Sequence, residues 1–387
     1  MILLPRFTLI LSCLAVTLSY SQIGIGTSSP DASSILEISS TTKGFLPPRL
    51  SNLDRQKINQ PAEGLIVYNT SQNCLQFYNG DAWFDLCCSQ KVDDNLSAIT
   101  YLYRLDPSNV NTLSKMDLDQ NNTGSNSGTV PNEGDYVYAV DMLDDSETIT
   151  ATLNYIAGSI EPSNNPTGDG IFVYETENSS INYKQKNYLS RTTQFSNGTT
   201  AGGSRLEADI PDLQQEMEVF IVGKFDGNPP GSSASFFSSA DGSETQGSFQ
   251  LGSGAAVAPT SECSPEYFTL RLKDGTNKYR LCGAAIQSPD GSDKRVSAIS
   301  DELHVFNFRM YLKNGNYTID FFIDGELVTR IDTLTEFPKL EKLKLFTNRT
   351  SRNSTFSSIG ELLISDKLFS DGEQKTINDY LLCKYSE

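Results

Sequence analysis

The 387-residue sequence holds a single histidine, His304, and a single tryptophan, Trp83. One histidine excludes His-rich metal sites and leaves no second imidazole for an independent Ser-His-Asp arrangement elsewhere in the chain. Positive charge is also scarce: 30 Lys and Arg stand against 48 Asp and Glu, a formal net charge of −18. Such a surface repels phosphate backbones and sulfated polymers unless divalent cations bridge them, so nucleic acid is not an expected partner. After the first eighteen residues no apolar run approaches the roughly 20 residues a membrane-spanning helix requires.

The one sustained apolar stretch, Phe7 to Leu18, follows Arg6 and precedes the small-residue end Ser19-Tyr20-Ser21. That arrangement is a secretory signal peptide over residues 1–21, too short to double as a transmembrane anchor. Cys13 sits inside this stretch behind Ile10-Leu11-Ser12, a poor lipidation signal, so a soluble rather than lipid-anchored mature chain is expected. The expected location is outside the cell or on its outer surface, with the periplasm as the secondary alternative.

Six of the seven cysteines lie beyond the signal peptide: Cys74, Cys87, Cys88, Cys263, Cys282 and Cys383. An even count in an exported chain points to disulfides and disfavours a cysteine nucleophile. If Tyr78 faces Trp83 across a hairpin, Phe77 meets Phe84, Leu75 meets Leu86 and Cys74 meets Cys87. A turn at Asn79-Gly80 would instead bring Cys74 opposite Asp85. Cys88 with Cys383 would tie together the two ends of the C-terminal region, leaving Cys263 with Cys282.

From Ile23 to Cys88 short apolar runs are each followed by a breaker, which predicts strand and loop with one helical turn near Asp54 to Ile58. The order Ile23-Gly24-Ile25-Gly26-Thr27, Leu36-Glu37-Ile38, Gly44-Phe45-Leu46-Pro47-Pro48-Arg49, Gly64-Leu65-Ile66-Val67-Tyr68-Asn69 and Tyr78-Asn79-Gly80 resembles a module of exported surface and tail-fibre-like proteins of Gram-negative bacteria. The resemblance implies an assembly module at 22–88, with trimerisation as its oligomeric expectation. Trp83 and Tyr78 are read as filling a small core rather than stacking on a sugar.

Residues 89–96 form a polar linker, and a second domain is expected over 97–387. Strands are predicted at Leu102 to Leu105, Tyr136 to Val140, Val219 to Phe225, Phe236 to Ser238, Tyr267 to Lys273 and Lys278 to Ile286. A meander follows, in which Phe306, Phe308, Met310 and Leu312 alternate out and Tyr317, Ile319, Phe321 and Ile323 alternate back. Asp324-Gly325 then turns into Leu327, Thr329 and Ile331. Ile359 to Ser365 reads as a strand buried on both faces, and Ser370 with Glu373 is a capping box for a final helix whose Ile377, Tyr380 and Leu381 form an apolar stripe.

This ending, with Gly360, Glu361, Leu362 to Ile364, Leu368, Ser370, Asp371, Glu373, Tyr380, Leu381, Lys384 and Tyr385, resembles the close of the laminin-G-like, concanavalin A-like β-sandwich family. Asp106-Pro107-Ser108 and Phe321-Phe322-Ile323-Asp324-Gly325-Glu326-Leu327-Val328 are similar to two further family segments, with Tyr103 where a tryptophan is commoner. The expected fold is therefore all-β: a concanavalin A-like antiparallel sandwich with a short C-terminal helix, preceded by the small β-rich module.

Chemistry in such a chain falls to carboxylates. Glu175 and Glu177 stand at strand spacing, but the third acid and flanking tryptophan of sandwich glycosidases are missing, so hydrolase or lyase activity is not expected. His304 is read as a satisfied strand residue. Asp117, Asp119 and Asn121 alternate as the first oxygen ligands of a calcium loop do, but Asn122 and Gly128 replace the glycine and bidentate glutamate of an EF-hand. The functional expectation is an exported protein whose sandwich binds glycan, with calcium at Asp117, Asp119 and Asn121 as an assisting ion. The competing expectation is a structural or adhesive protein making protein contacts.

Overall fold

The computed structural model describes residues 22–71, 74–80, 83–86, 96, 99–118, 124–156, 172–178, 185–191, 195–196, 205–210, 216–225, 235–239, 248–253, 263–264, 266–274, 277–299, 302–337, 340, 342–346, 353–354 and 357–385. They fall into two compact units, Met1–Pro48 and Arg49–Glu387. The boundary lies upstream of the expected 89–96 linker, most of which is outside the described residues.

In the first unit, Ile23–Ile25 pairs in parallel with Leu36–Ile38. Its turns are made by side chains: Asp31 Oδ1 accepts from the Ser33 amide at 2.8 Å, and Gly26 has φ +79°. A Cβ at Gly26 would fall only 2.0 Å from the Ser39 carbonyl oxygen, so glycine is required there for space and for conformation.

The second unit opens with a four-stranded sheet ordered Arg49–Leu50, Ile66–Asn69, Cys74–Tyr78 and Trp83–Asp85. Its helical turn, Asn52–Gln56 (α1), is capped by Ser51, whose hydroxyl accepts from the Asp54 amide. The hairpin has the predicted register, Tyr78 opposite Trp83 and Phe77 opposite Phe84. Trp83 is half-buried, with the Tyr78 ring at 5.5 Å and the Arg55 guanidinium at 5.7 Å.

The rest is the expected all-β sandwich. One antiparallel layer runs Phe172–Asn178, Gln185–Arg191, Ser357–Ser365, Met217–Phe225, His304–Lys313, Asn316–Ile323 and Glu326–Leu334. Five of these strands recur below: Met217–Phe225 (β1), His304–Lys313 (β2), Asn316–Ile323 (β3), Glu326–Leu334 (β4) and Ser357–Ser365 (β5). The other layer is ordered Gly124–Asn126, Leu113–Leu118, Val137–Leu143, Ile149–Ile156, Arg205–Asp209, Lys342–Leu345, Ser235–Ser239, Phe249–Ser253, Phe268–Asp274 and Asn277–Leu281. Tyr103–Leu105 bonds to both layers. Between the layers Phe308 meets Phe237 at 5.6 Å and Phe249 at 5.4 Å, and Phe306 meets Phe236 at 5.6 Å.

The turns of the meander show why its sequence was readable. Asn314 and Gly315 have φ +52° and +85°, and Asp324 and Gly325 have +52° and +81°, the paired positive values of tight hairpin turns. β1 and β5 are buried along their whole length. Val219 and Ile221 of β1, and Ile359, Leu362 and Ile364 of β5, face the interlayer core. Phe220, Val222 and Leu363 face outward, where the final helix Asp371–Tyr385 (α2) covers them with Ile377, Tyr380 and Leu381. Burying two aliphatic side chains of this kind contributes roughly 3–6 kcal/mol to holding the helix down.

One strand is shorter than expected. The run predicted from Lys278 to Ile286 ends at Leu281, because Cys282 is bonded to Cys263 and Gly283 turns the chain with φ +78°. Ile286, at 77% exposure, lies beyond the sheet.

Candidate functional site

Two buried polar clusters fix α2 against the sheet. Glu361 on β5 is fully buried, and its oxygens accept from Arg104 Nε at 2.5 Å, Lys384 Nζ at 2.8 Å and the Tyr380 hydroxyl at 3.0 Å. Lys384 also reaches Asp106 Oδ1 at 2.8 Å and Ser108 Oγ at 3.1 Å. Burial alone would lower the Lys384 pKa; the neighbouring Glu361, Tyr385 and Asp106 outweigh it and hold the amine charged. Asp106 is likewise pushed up by burial but kept below the usual carboxylate range by Lys384 and Arg104. Five of the residues that carried the sandwich resemblance, Asp106, Ser108, Glu361, Tyr380 and Lys384, thus meet in one ion network.

The second cluster centres on Glu218 of β1, also fully buried. Its carboxylate accepts from the Phe369 amide at 2.9 Å and from Asn307 Nδ2 at 3.0 Å, with the Arg309 guanidinium 3.3 Å away. Gln374 on α2 donates to Asn307 Oδ1 at 2.7 Å. Burial dominates here, and the pKa of Glu218 is raised to about 7.

Beside this second cluster lies a pocket of about 350 Å³. Phe220 and Asn307 on the sheet and Gln374 on the helix form its inner wall, while Thr70 and Ser71 approach from the loop after Ile66–Asn69. The turn between β3 and β4 contributes Gly325 and Glu326, and Glu326 accepts from Ser71 Oγ at 2.7 Å. A Cβ at Gly325 would lie 2.6 Å from Asn378 Nδ2, so the turn is packed directly onto α2. The remaining lining is one face of the helix: Asp371, Lys375, Asn378 and Asp379 at helical spacing. Asn378 is 5% exposed and its Oδ1 meets no donor among the described residues; Asp379 pairs with Lys375 at 2.5 Å through Oδ2, while its buried Oδ1 also lacks a donor among them.

The residues singled out from the sequence fall elsewhere. Asp117 is exposed on Leu113–Leu118, whereas Asp119 and Asn121 lie outside the described residues. No group of three or more metal-ligating side chains occurs among the described residues. Glu175 and Glu177 occupy alternate positions of an edge strand, opposite Tyr188 and Lys186. His304 is buried, its Nδ1 2.8 Å from Asp324 Oδ2, and it packs edge-on against Phe268 at 5.4 Å.

Cys263 and Cys282 are bonded, with Cα atoms 5.7 Å apart. Cys74 is also disulfide-bonded; Cys87 lies outside the described residues. Cys383 is buried on the packed face of α2, and its expected partner Cys88 lies outside the described residues. The pocket itself went unforeseen because its lining is drawn from separate segments spread between Thr70 and Asp379. The signal available was the polar face of Asp371, Gln374, Lys375 and Asn378, one helical step from the apolar stripe.

Residues 24–97 match the family model described as "Phage tail like trimerisation region". A comparison with curated proteins finds no match. Among solved structures, the binding domain of botulinum neurotoxin DC in complex with SialylT aligns at 8% identity and a TM-score of 0.35, over 70% of this chain and 52% of that one. The binding domain of botulinum neurotoxin serotype G aligns at 10% identity and 0.34, over 62% and 50%. The Ruminococcus gnavus IT-sialidase CBM40 bound to alpha2,3 sialyllactose aligns at 18% identity and 0.28, over 43% and 83%. The chain thus spans about half the length of the neurotoxin domains it aligns with, and likeness at this level says nothing of ligand.

Proposed function

We propose that the chain is an exported protein that assembles with copies of itself through its N-terminal module and presents a glycan-binding β-sandwich. The observation that carries this reading is the surface of the first unit. Ile23, Ile25, Ile35, Leu36, Ile38, Phe45 and Leu46 are 42% to 80% exposed there, all within about two dozen residues. A segment that short has no interior of its own in which to bury them, and so much apolar surface on a secreted chain calls for a covering partner. The family match across 24–97 supports identical copies as that partner and three as their number. Glycan as the sandwich's ligand is supported by the concanavalin A-like character of the sequence, an argument by analogy of fold. Calcium assistance at the loop of Asp117, Asp119 and Asn121 belongs to the same proposal, and no catalytic role is assigned.

The mass of the Gln22–Glu387 chain in solution tests the assembly. Three times the chain mass is expected, falling to one when Ile23, Ile25, Ile35 and Leu36 are all replaced by serine. A monomeric mass for the unaltered chain at micromolar concentration defeats it. A glycan array probed with calcium and with a chelator tests the ligand: binding lost with the chelator assigns calcium its role, binding in both leaves the ion without one, and silence in both defeats the glycan reading.

A further inference from the structure

We infer that the outward face of the small sheet, built on Ile66–Asn69 and Cys74–Tyr78, is a docking surface that packs against the same face of two further copies of this chain. The inference rests on the assembly reading for identical copies as the occupant, and on the sheet alone for the face they share. In register, Arg49 stands opposite Tyr68 and Tyr68 opposite Leu75, while Ile66 stands opposite Phe77. The Leu86 amide bonds to the Leu75 carbonyl and extends the first of these rows. Side chains directly opposite one another share a face, so Ile66, Tyr68, Leu75, Phe77 and Leu86 form one apolar surface. Ile66 is 45% exposed and Leu86 55%, and the other three are half-buried.

The opposite face has the reverse polarity. Asn69 and Gln76 lie there beside Val67 and Cys74, all four buried. Asn69 Nδ2 donates to Gln76 Oε1 at 2.9 Å and to Asn52 of α1, and Arg55 of α1 donates to Gln76 Oε1 at 3.0 Å. The sheet therefore encloses carboxamides under its own helix and turns its apolar row outward. A sheet with one wetted face ordinarily does the opposite, so this surface calls for a cover.

Copies of this chain are the cover that the observations favour. The match to a trimerisation region runs over residues 24–97 and so contains every residue of this face as well as the apolar residues of the first unit. Exposed Phe45 and Leu46 precede Arg49 by only a few positions, so the two apolar stretches are consecutive in the chain. Arg49, at the end of the first row, holds its guanidinium 5.8 Å from the Tyr68 ring and keeps its charge at the rim. Around a three-fold axis each face meets both neighbours, which closes the ring. The sheet is also fixed to the sandwich: Ser71 Oγ donates to Glu326 at 2.7 Å, and Leu53 of α1 joins the interlayer core. Docking of the sheets thus sets the orientation of the sandwiches as well as their number.

The mass in solution of the Gln22–Glu387 chain carrying Ile66→Asp and Leu86→Asp tests the inference. Both positions are exposed in the single chain, so the far-ultraviolet circular dichroism should be unchanged while the mass falls from three chains to one. Should that variant misfold, Ile66→Ser with Leu86→Ser removes apolar area without adding charge. It should raise the concentration at which half the trimer dissociates by about tenfold or more. A folded variant that keeps the three-chain mass and the dissociation midpoint of the unaltered chain overturns this face and leaves assembly through the first unit standing. A monomeric mass for the unaltered chain defeats the assembly reading and this inference together.

Discussion

Lys384 Nζ stands 2.8 Å from Glu361 Oε2, joining the last turn of α2 to the middle of β5, a strand buried along its whole length. Twenty-three residues separate them, and the pair is shared with Arg104, Asp106 and Tyr380, so the opening and closing segments of the sandwich meet on one carboxylate. The geometry explains why a turn of the Asp-Pro-Ser type and a helix ending Tyr380, Lys384, Tyr385 occur in one chain: each supplies part of the same network.

Removing the anion should be far worse than removing one cation. Glu361→Gln leaves Arg104 and Lys384 buried with Asp106 as their remaining carboxylate, and a loss of about 3–5 kcal/mol is expected from urea unfolding. Lys384→Met leaves Glu361 paired with Arg104 and should cost less. A Glu361→Gln loss below about 1 kcal/mol would show that the network does not hold the helix.

Gly360, beside that glutamate, is required for space. A Cβ there would fall 2.6 Å from Tyr385 Cε1 and 2.8 Å from its Cζ, and the ring is buried with its hydroxyl 3.4 Å from the Asn187 carbonyl. Gly360→Ala should therefore cost about 1–3 kcal/mol by overpacking. In a Tyr385→Leu background the same change should be nearly neutral, a non-additivity that a double-mutant cycle measures. Equal losses in both backgrounds would place the clash elsewhere.

What the sequence disclosed follows from the range of the interactions. The meander was legible because alternation is local and because Asn314-Gly315 and Asp324-Gly325 are turn pairs written in adjacent letters. The double burial of β5 was legible for the same reason: a continuous apolar run has no polar face to give to solvent. Strands such as Arg205–Asp209 and Ile149–Ile156 were not, since their charged and polar residues alternate on a half-exposed layer and imitate loop. The pocket, assembled from Ser71, Glu326 and Asn378, depends on contacts that no local pattern encodes. Burial of Glu218 was equally hidden, because Asn307 and Phe369, which satisfy it, lie 89 and 151 positions away.

That burial makes stability depend on pH in an unusual direction for an acidic group. The pKa of Glu218 is about 7 in the folded chain, against an ordinary value of 4.5, because burial outweighs the attraction of Arg309. Between those two values the folded state holds a proton that the unfolded state has released, so stability falls as pH rises through the window. The full effect is on the order of 3 kcal/mol, nearly all of it spent by about pH 7. His304, whose pKa Asp324 raises against the opposing effect of burial, adds a loss of the same sign as pH rises above about 6.5. Glu218→Gln separates the two. The amide keeps an acceptor for the Phe369 amide and cannot ionise, so the decline between about pH 5 and 7 should flatten in the variant while the His304 portion persists. Urea midpoints across that range for both proteins provide the measurement. Parallel curves would mean that Glu218 stays ionised in the fold and that Arg309, rather than burial, governs it.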